Sequence, residues 1–586
     1  MLNERFIRVL HVDLETEKIR IERREDLVPY LGGVGIASKL LLENLNPDLD
    51  PTAPEQPIVF AIGSGAYIFP VLSKTVAMFV SPLTGEMGES YAGGRLAMAM
   101  LMAGYDALVI SGKAKKHSYL TVSTEDVNIR DARSLWGLPL NEASLKVRDR
   151  ENSDGVSGKR SILCIGPAGE NGVAYACVAV DTYRHFGRMG LGACMGNKNL
   201  KAIMVHGNRS IPILNQKQYF KAYQDIYKKC TATDMMAKYH DAGTPINILP
   251  LNKAGGLPTR NLQSGTFEHA DNISGEAFAQ KNLVRKLACS GCPVGCIHVG
   301  MYRREFDKGH EYEAISVAYD YELIFALGTF LGVKDTDEIL AIIDEVEESG
   351  LDAMSAGVCL GWATEALARG YVTTKDTLVD LQFGDAAGYI QAVKHLAKRR
   401  NAFYQTLGKG CRVAAERYGG EDFAMQIAGN EMAGYHTGYG SVVGPAVGAR
   451  HSHLCNGGYS LDQSMKEFDE DALVEGLFKE ECERCMTNSL VMCLFARKIY
   501  DRETILMALN SIGWELNDAD LTAIGKRIYQ TKLQLKQALG FEQKDVKLPK
   551  RFFETPSTNG VLEEETAYRL IRKYVEKTDA LMQETL

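Results

Sequence analysis

The chain has no window of 18 uninterrupted apolar residues, so no membrane span is expected. Its opening, "MLNERFIRVLHVDLETEKIRIE", carries charges within the first five residues and no apolar run of signal-peptide length, which predicts a cytoplasmic protein. It lacks an excess of positive charge: the net charge is −8, which argues against a nucleic-acid partner. No G-x4-G-K-[ST] appears, so there is no P-loop, and neither G-x-S-x-G nor H-E-x-x-H is present. The glycine run "GRMGLGACMG" lacks the strand–turn–helix context and the downstream acidic residue of a dinucleotide site. Cysteine pairing is also missing as a framework. Thirteen cysteines, an odd number, are scattered through 586 residues, and isolated ones such as Cys164 read as small buried hydrophobes.

What is present is a length that exceeds one core, with 45% hydrophobic and 24% charged residues, the balance of a globular protein of several domains. Short Val- and Ile-rich segments bounded by turn residues fill roughly the first two hundred positions, among them "RFIRVLHVDL", "PIVFAIG", "TVAMFVSP", "DALVISGK" and "LKAIMVHG". They predict a β-rich domain over 1–208, with an intervening helix at "RLAMAMLMAG". Beyond it, helical spacing dominates, as in "DTDEILAIIDEVEESGLDAMSAGVCLGWATEALARG" with a break at "SGLD". The expected class is α+β: packed β-sheets, then two mainly helical domains, 209–410 and 411–586, enclosing a cofactor. The last twenty or so residues read as an amphipathic charged surface tail.

Glycine numbers 56, much of it clustered at 31–35, 91–95, 187–196, 291–296 and 438–448. Loops that allow close backbone approach at so many places suggest one large wrapped ligand; tight turns in a β-rich domain are the plainer account. In "ACSGCPVGCIHVG", Cys289, Cys292 and Cys296 form C-x2-C-x3-C. An iron–sulfur cluster completed by a distant cysteine explains that spacing, and zinc is the rival. Cys482, Cys485 and Cys493 in "ECERCMTNSLVMCLF" are the candidates for the fourth thiolate.

The ordered strings "SPLTGEMGESYAGG", "AGYDALVISGKA", "IRDARSLWG", "IGPAGENGV", "GRMGLGACMGNKNLKAI", "CSGCPVGC", "YELIFALGTFLG", "ESGLDAMSAG" and "MCLF" resemble the aldehyde:ferredoxin oxidoreductase family over essentially the whole length. These are tungsten or molybdenum enzymes with two pyranopterins. The resemblance implies a [4Fe–4S] cluster on Cys289, Cys292, Cys296 and Cys493. Lys74 stands where the family has an arginine linking pterin to cluster, and it keeps the charge without the bidentate fork. Carbonyls of Tyr91 and His185 fall where the family binds Mg²⁺ between pterin phosphates. Pterin contacts map onto Ala92, Gly93, Gly94, Arg184, Gly187, Arg188, Gly190, Leu191 and Gly192.

Two D-x-x-G-L-[DC] loops of the family correspond to Glu347–Asp352, with Gly350 and Leu351, and to Asn488–Cys493, with Met492. The second keeps only its cysteine, and its lost glycine is expected to change the loop's shape. Glu322 matches the family glutamate beside the metal, with Glu313 second. The family's aldehyde-activating histidine aligns without gaps to Val443, so His436 with Tyr439 is the expected acid/base pair; His451 and His453 lie further on. The helix "AIIDEVEESG" lacks the histidine of the family's optional inter-subunit iron site.

The implied reaction is oxidation of a small aldehyde, or reduction of the acid, with ferredoxin or an iron–sulfur subunit as electron partner; a homodimer is compatible. The alternatives are an oxidoreductase of 2-hydroxy or 2-oxo acids, an acyl-CoA reductase, or an electron-transfer subunit that has lost its pterin.

Overall fold

The computed structural model describes residues 6–151, 159–307 and 309–585. The segments expected to be strands pair into two six-stranded mixed sheets. In the first, Ile7–Asp13 lies between its antiparallel neighbour Lys18–Arg24 and the parallel Ala107–Ser111, and the sheet continues through Ile58–Ile62, Thr75–Val80 and Met87–Ala92. In the second, Leu200–His206 joins Arg160–Cys164 to Ser118–Val122, with Val178–Val180 and Arg184–Phe186 at one edge and Val127–Asp131 at the other. Ile58–Ile62 and Thr75–Val80 are buried on both faces, which is why they read as unbroken apolar runs rather than alternating ones. The edge strand Arg184–Phe186 of the second sheet lies against the edge strand Met87–Ala92 of the first. Tyr91 and His185 therefore sit at the seam between the sheets.

The rest is mostly helical. Thr336–Ser349 and Ala353–Ala368 are separate helices, and the break falls at the expected "SGLD". Asp335 and Asp352 cap their N-termini by accepting backbone N–H bonds, and Gly350 ends the first helix in the left-handed conformation. One departure is a three-stranded antiparallel sheet, Leu283–Leu287, Ile297–Asp307 and Glu311–Tyr319, where helix was expected to prevail. Its outer halves are exposed, so they carry few of the apolar residues that mark a strand. The C-terminal segment also differs from a surface tail. Glu564–Gln583 is a helix whose Ala567, Leu570, Ile571 and Tyr574 are buried, leaving only the charged face to water.

Two large cores result. One joins both sheets to residues 485–535; the other joins 248–477 to 546–574. Residues 411–586 are divided between them. The helix Asp518–Ala538 packs on the N-terminal helix Gly33–Asn44; Glu86, just before the strand Met87–Ala92, and Glu89 within it pair with its buried Lys536 and Lys532. Among the described residues no helix is long and apolar enough to cross a membrane.

Candidate functional site

Four thiols cluster at the edge of the first core: Cys292, Cys296 and Cys493 pack against it, and Cys289 against the small cluster of Ile297, Val299 and Ala318. Cys289, Cys292 and Cys296 occupy the turn before Ile297–Asp307, and Cys493 reaches them from the far end of the chain, its N–H donating to the Val71 carbonyl. Val71 N–H in turn donates to the Gly291 carbonyl, and Ser290 N–H to that of Gly94. The turn is thus pinned between the first sheet's loops and the Cys493 segment. Gly93 lies so close that a Cβ there would stand 2.5 Å from the Cys289 sulfur. Burial, with Cys493, Cys296 and Cys289 behind it, raises the Cys292 thiol well above its usual range. Cys296 is pushed up to about 11 by burial and Cys493, opposed by the cations Arg184 and Lys74.

Lys74 and Arg184 are therefore the cations beside the thiols. Cys485 is fully buried against Lys532 and Glu481, and Cys482 against Glu481 and Lys526; neither belongs to the group. A single tetrahedral zinc needs sulfurs about 3.8 Å apart. Among the described residues the only three such ligand atoms that converge within 4.8 Å belong to Cys359, Cys411 and Glu431. No three of the thiols of Cys289, Cys292, Cys296 and Cys493 converge that closely.

Beside the thiols, the seam strand presents unpartnered polar atoms. Arg184 Nε and His185 Nε2 are buried without a hydrogen-bond partner, and burial with Arg184 lowers His185 to about 4. Such orphans are costly unless a ligand meets them. Next to them Gly187 has open space where a side chain would be. Arg188 Nε lies 3.3 Å from Asp352, and its Nη2 donates to the Glu431 carbonyl at 2.8 Å. The loop Glu347–Asp352 is held by Cys177 N–H on the Gly350 carbonyl and by Asp352 N–H on that of Tyr175. Gly350 has φ +74°, and a Cβ there would meet Gly166 N at 2.6 Å.

In the second loop, Val491 stands where that glycine would be, and it adopts φ +48°. The loop keeps the left-handed turn that its sequence was expected to lose; a buried β-branched residue holds it under strain. Asn488 and Met492 are buried on either side.

Between the Arg188 and His453 segments lies a narrow cavity of about 20 Å³, room for one or two water molecules. Arg188, Tyr435, His451, His453, Tyr459 and Phe552 help to line it. Next to the lining residue His453 stands Glu322, at the start of the helix Tyr321–Leu327, which Asp320 caps by accepting the N–H groups of Glu322 and Leu323. Gly434 N–H donates to Glu322 Oε2 at 3.2 Å, and His453 Nε2 stands 3.2 Å from Oε1. Glu322 Oε1 and, on the far side of the ring, His453 Nδ1 have no hydrogen-bond partner among the described residues. Burial raises the Glu322 carboxyl to about 8 and lowers His453 well below the ordinary histidine value, with Arg188 pushing His453 the same way. Close as they are, the two groups meet uncharged near neutrality. Glu322 is 20% exposed within a deeply buried environment, beside the lining residue His453.

The expected partners of Glu322 are elsewhere. His436 is fully buried with Nε2 bonded to the Thr555 carbonyl at 2.9 Å, and it sits behind Phe552 rather than on the cavity wall. Tyr439 turns outward, its hydroxyl accepting the Glu563 N–H. Glu313, the second choice to Glu322, lies on a strand paired with Arg304. His453 was noted in the sequence but given no role. Val443, where the ungapped alignment put the family histidine, lies buried inside the helix Tyr439–Val447, and the chain returns to the cavity lining after that helix. In "ARHSHLC", His451 is consumed by Lys536, Glu86 and the Pro445 carbonyl, so only His453 is free to face Glu322. Glu431 was also missed. Its carboxyl, raised by burial, accepts from Ser355 Oγ and Cys411 N–H, anchoring the backbone carbonyl that holds Arg188.

Residues 9–207 match the N-terminal domain, and residues 221–578 domains 2 and 3, of aldehyde ferredoxin oxidoreductase. The chain is 31% identical to a tungsten-containing aldehyde ferredoxin oxidoreductase of Pyrococcus furiosus, covering 94% of this chain and 92% of that one. It is 30% identical to the WOR-like subunit of an aliphatic sulfonate oxidoreductase of the same organism, over 75% and 70% of the two chains. The fold is that of the active-site complex BamBC of benzoyl coenzyme A reductase, solved with 1,5-dienoyl-CoA: TM-score 0.83, 20% identity, 97% of this chain and 94% of that chain. The protein is an oxidoreductase by class. It belongs to the aldehyde ferredoxin oxidoreductase family.

Proposed function

We propose that this protein oxidises a small aldehyde to its carboxylic acid. One aldehyde and one water give one acid, two protons and two electrons; Cys289, Cys292, Cys296 and Cys493 would hold a [4Fe–4S] cluster, which would supply one-electron chemistry. The observation that carries the reading is the neutral Glu322–His453 pair, two buried groups 3.2 Å apart, each with an unpartnered atom, beside a small cavity.

A tungsten or molybdenum centre held by two pyranopterins would supply the two-electron chemistry when bound, and the orphaned Arg184 and His185 atoms fit such a group. Arg184, Arg188 and the Glu347–Asp352 and Asn488–Cys493 loops would hold the pterins. The Tyr91 and His185 carbonyls at the sheet seam suit Mg²⁺ between their phosphates. Lys74, beside Cys296, would stand between pterin and cluster as a point charge.

The chain's own contribution is proton handling. Glu322 in its deprotonated form takes a proton from water as the new C–O bond forms. Protonated Glu322 then releases that proton to water in the cavity, and the neutral His453, its Nε2 3.2 Å away, keeps the carboxyl in place. Tyr435 and Tyr459, stacked at 4.2 Å, and Phe552 keep bulk water out. Electrons then pass to ferredoxin or an iron–sulfur subunit.

The test is anaerobic purification with elemental analysis for tungsten, molybdenum and iron, together with viologen reduction by a panel of aldehydes and hydroxy acids. Aldehyde-dependent reduction by protein containing about four irons is expected. Protein that contains neither heavy metal nor pterin and reduces no dye would end the proposal.

A further inference from the structure

Next to the thiols lies a surface unlike the rest of this acidic chain. The helix Gln216–Ala232 carries four lysines against one aspartate, Asp225. At 100° per residue, Lys217, Lys221 and Lys228 fall within about 40° of one another. Ala222, Ile226 and Cys230 occupy the opposite, buried side. All three of these lysines are exposed, and among the described residues none makes an ion pair. Arg497 and Lys498, exposed just after Cys493, extend the positive charge.

The same helix connects the thiols to solvent through aromatic rings. Tyr500 neighbours Cys230, Cys292 and Tyr223, and Cys230 neighbours Cys493. Tyr223 stacks on Tyr227 with centroids 6.1 Å apart, and Tyr227 is 45% exposed beside Phe220 at 56%. A line of rings thus runs from the thiols to an exposed apolar spot rimmed by unpaired lysines. An apolar centre with a charged rim is the anatomy of a transient docking site.

We propose that this face, centred on Phe220 and Tyr227 and rimmed by Lys217, Lys221 and Lys228, docks the electron acceptor, and that the acceptor is a small acidic iron–sulfur protein. The inference rests on the reading that Cys289, Cys292, Cys296 and Cys493 hold the cluster. Each docking passes one electron from that cluster to the acceptor's oxidised cluster, so two such transfers drain one aldehyde oxidation. The charge complementarity excludes a basic carrier and sets a salt-sensitive association.

Binding of an oxidised, acidic two-cluster ferredoxin to the holoprotein, measured by calorimetry at rising salt, tests this without turnover. The K217E/K221E/K228E variant, altered only on the surface, should bind about tenfold more weakly and lose most of the salt dependence. The Y227A variant should weaken binding at every salt concentration. Wild-type affinity in the triple variant, no ferredoxin binding by the wild type, or preferential capture by phosphatidylserine vesicles would overturn the docking face. Viologen-coupled aldehyde oxidation, which bypasses docking, is followed in parallel. Its absence alongside intact ferredoxin binding would sink the catalytic reading and leave the docking face standing.

Discussion

The thiol end and the carbonyl end of this site are built in opposite ways. At the thiol end three of the four sulfurs come from one eight-residue turn, and the fourth is fastened by one backbone hydrogen bond to Val71. At the carbonyl end nothing is local: Glu322 from one helix start meets His453 from a loop beyond Tyr439–Val447, and Gly434 and Arg188 come from two further segments. A compact ligand motif needs little more than its own turn to present its donors. A proton-transfer pair needs the whole core to desolvate it.

Breaking the thiol end should have the largest effect. C493S is expected to lower iron from about four per chain toward zero and to abolish dye reduction, whereas C485S should leave iron content intact. Iron analysis and the visible spectrum read both, and equal iron in the two variants would refute the fourth-ligand assignment.

At the carbonyl end, E322Q should reduce kcat/KM by about 10²–10⁴ while E313Q leaves it near wild type. H453Q should lower kcat by about 10². H436Q should instead cost about 1 kcal/mol of stability through its bond to Thr555, with kcat preserved. If H436Q proved the catalytically damaged variant and H453Q the silent one, the assignment of the pair would be reversed.

The pH dependence sharpens the same contrast. With Glu322 raised to about 8, the deprotonated form that accepts a proton accumulates as pH climbs through that value, so kcat/KM should rise there and E322Q should lose the limb. Stability carries the opposite sign. A carboxyl whose folded value exceeds its unfolded one binds more protons when folded. Its contribution is therefore complete below the ordinary glutamate range and is lost as pH rises through about 8. Chemical denaturation of E322Q across that window should show a flatter slope than wild type.

The smallest effect concerns the two loops that flank the site. V491G relieves about 1–3 kcal/mol of left-handed strain and gives up about 1.5–3 kcal/mol of burial, so the melting temperature should barely move. G350V adds a Cβ within 2.6 Å of Gly166 N and should be strongly destabilising. Equal losses in both would show that the loops do not share their geometry for the same reason.

Much of this was legible in the residues. Strands such as Thr75–Val80 announced themselves because burial on both faces demands unbroken apolar runs. The helix pair around Gly350 announced itself because a helix end needs a residue that tolerates positive φ. The strands Ile297–Asp307 and Glu311–Tyr319 did not, since their exposed outer halves carry no alternation a reader could follow. Val491 misled for the converse reason: tertiary packing holds a turn that its own side chain disfavours.

The sequence by itself determined the thiol motif and the two-sheet start, because each depends on residue type and local spacing; Glu322 was marked out only by resemblance to the family. Which histidine faces Glu322, that residues 411–586 serve two cores, and that a lysine-rich helix flanks the thiols were decided only in three dimensions. Burial, which moves proton affinities and leaves polar atoms unpartnered, is a property of everything packed around a residue.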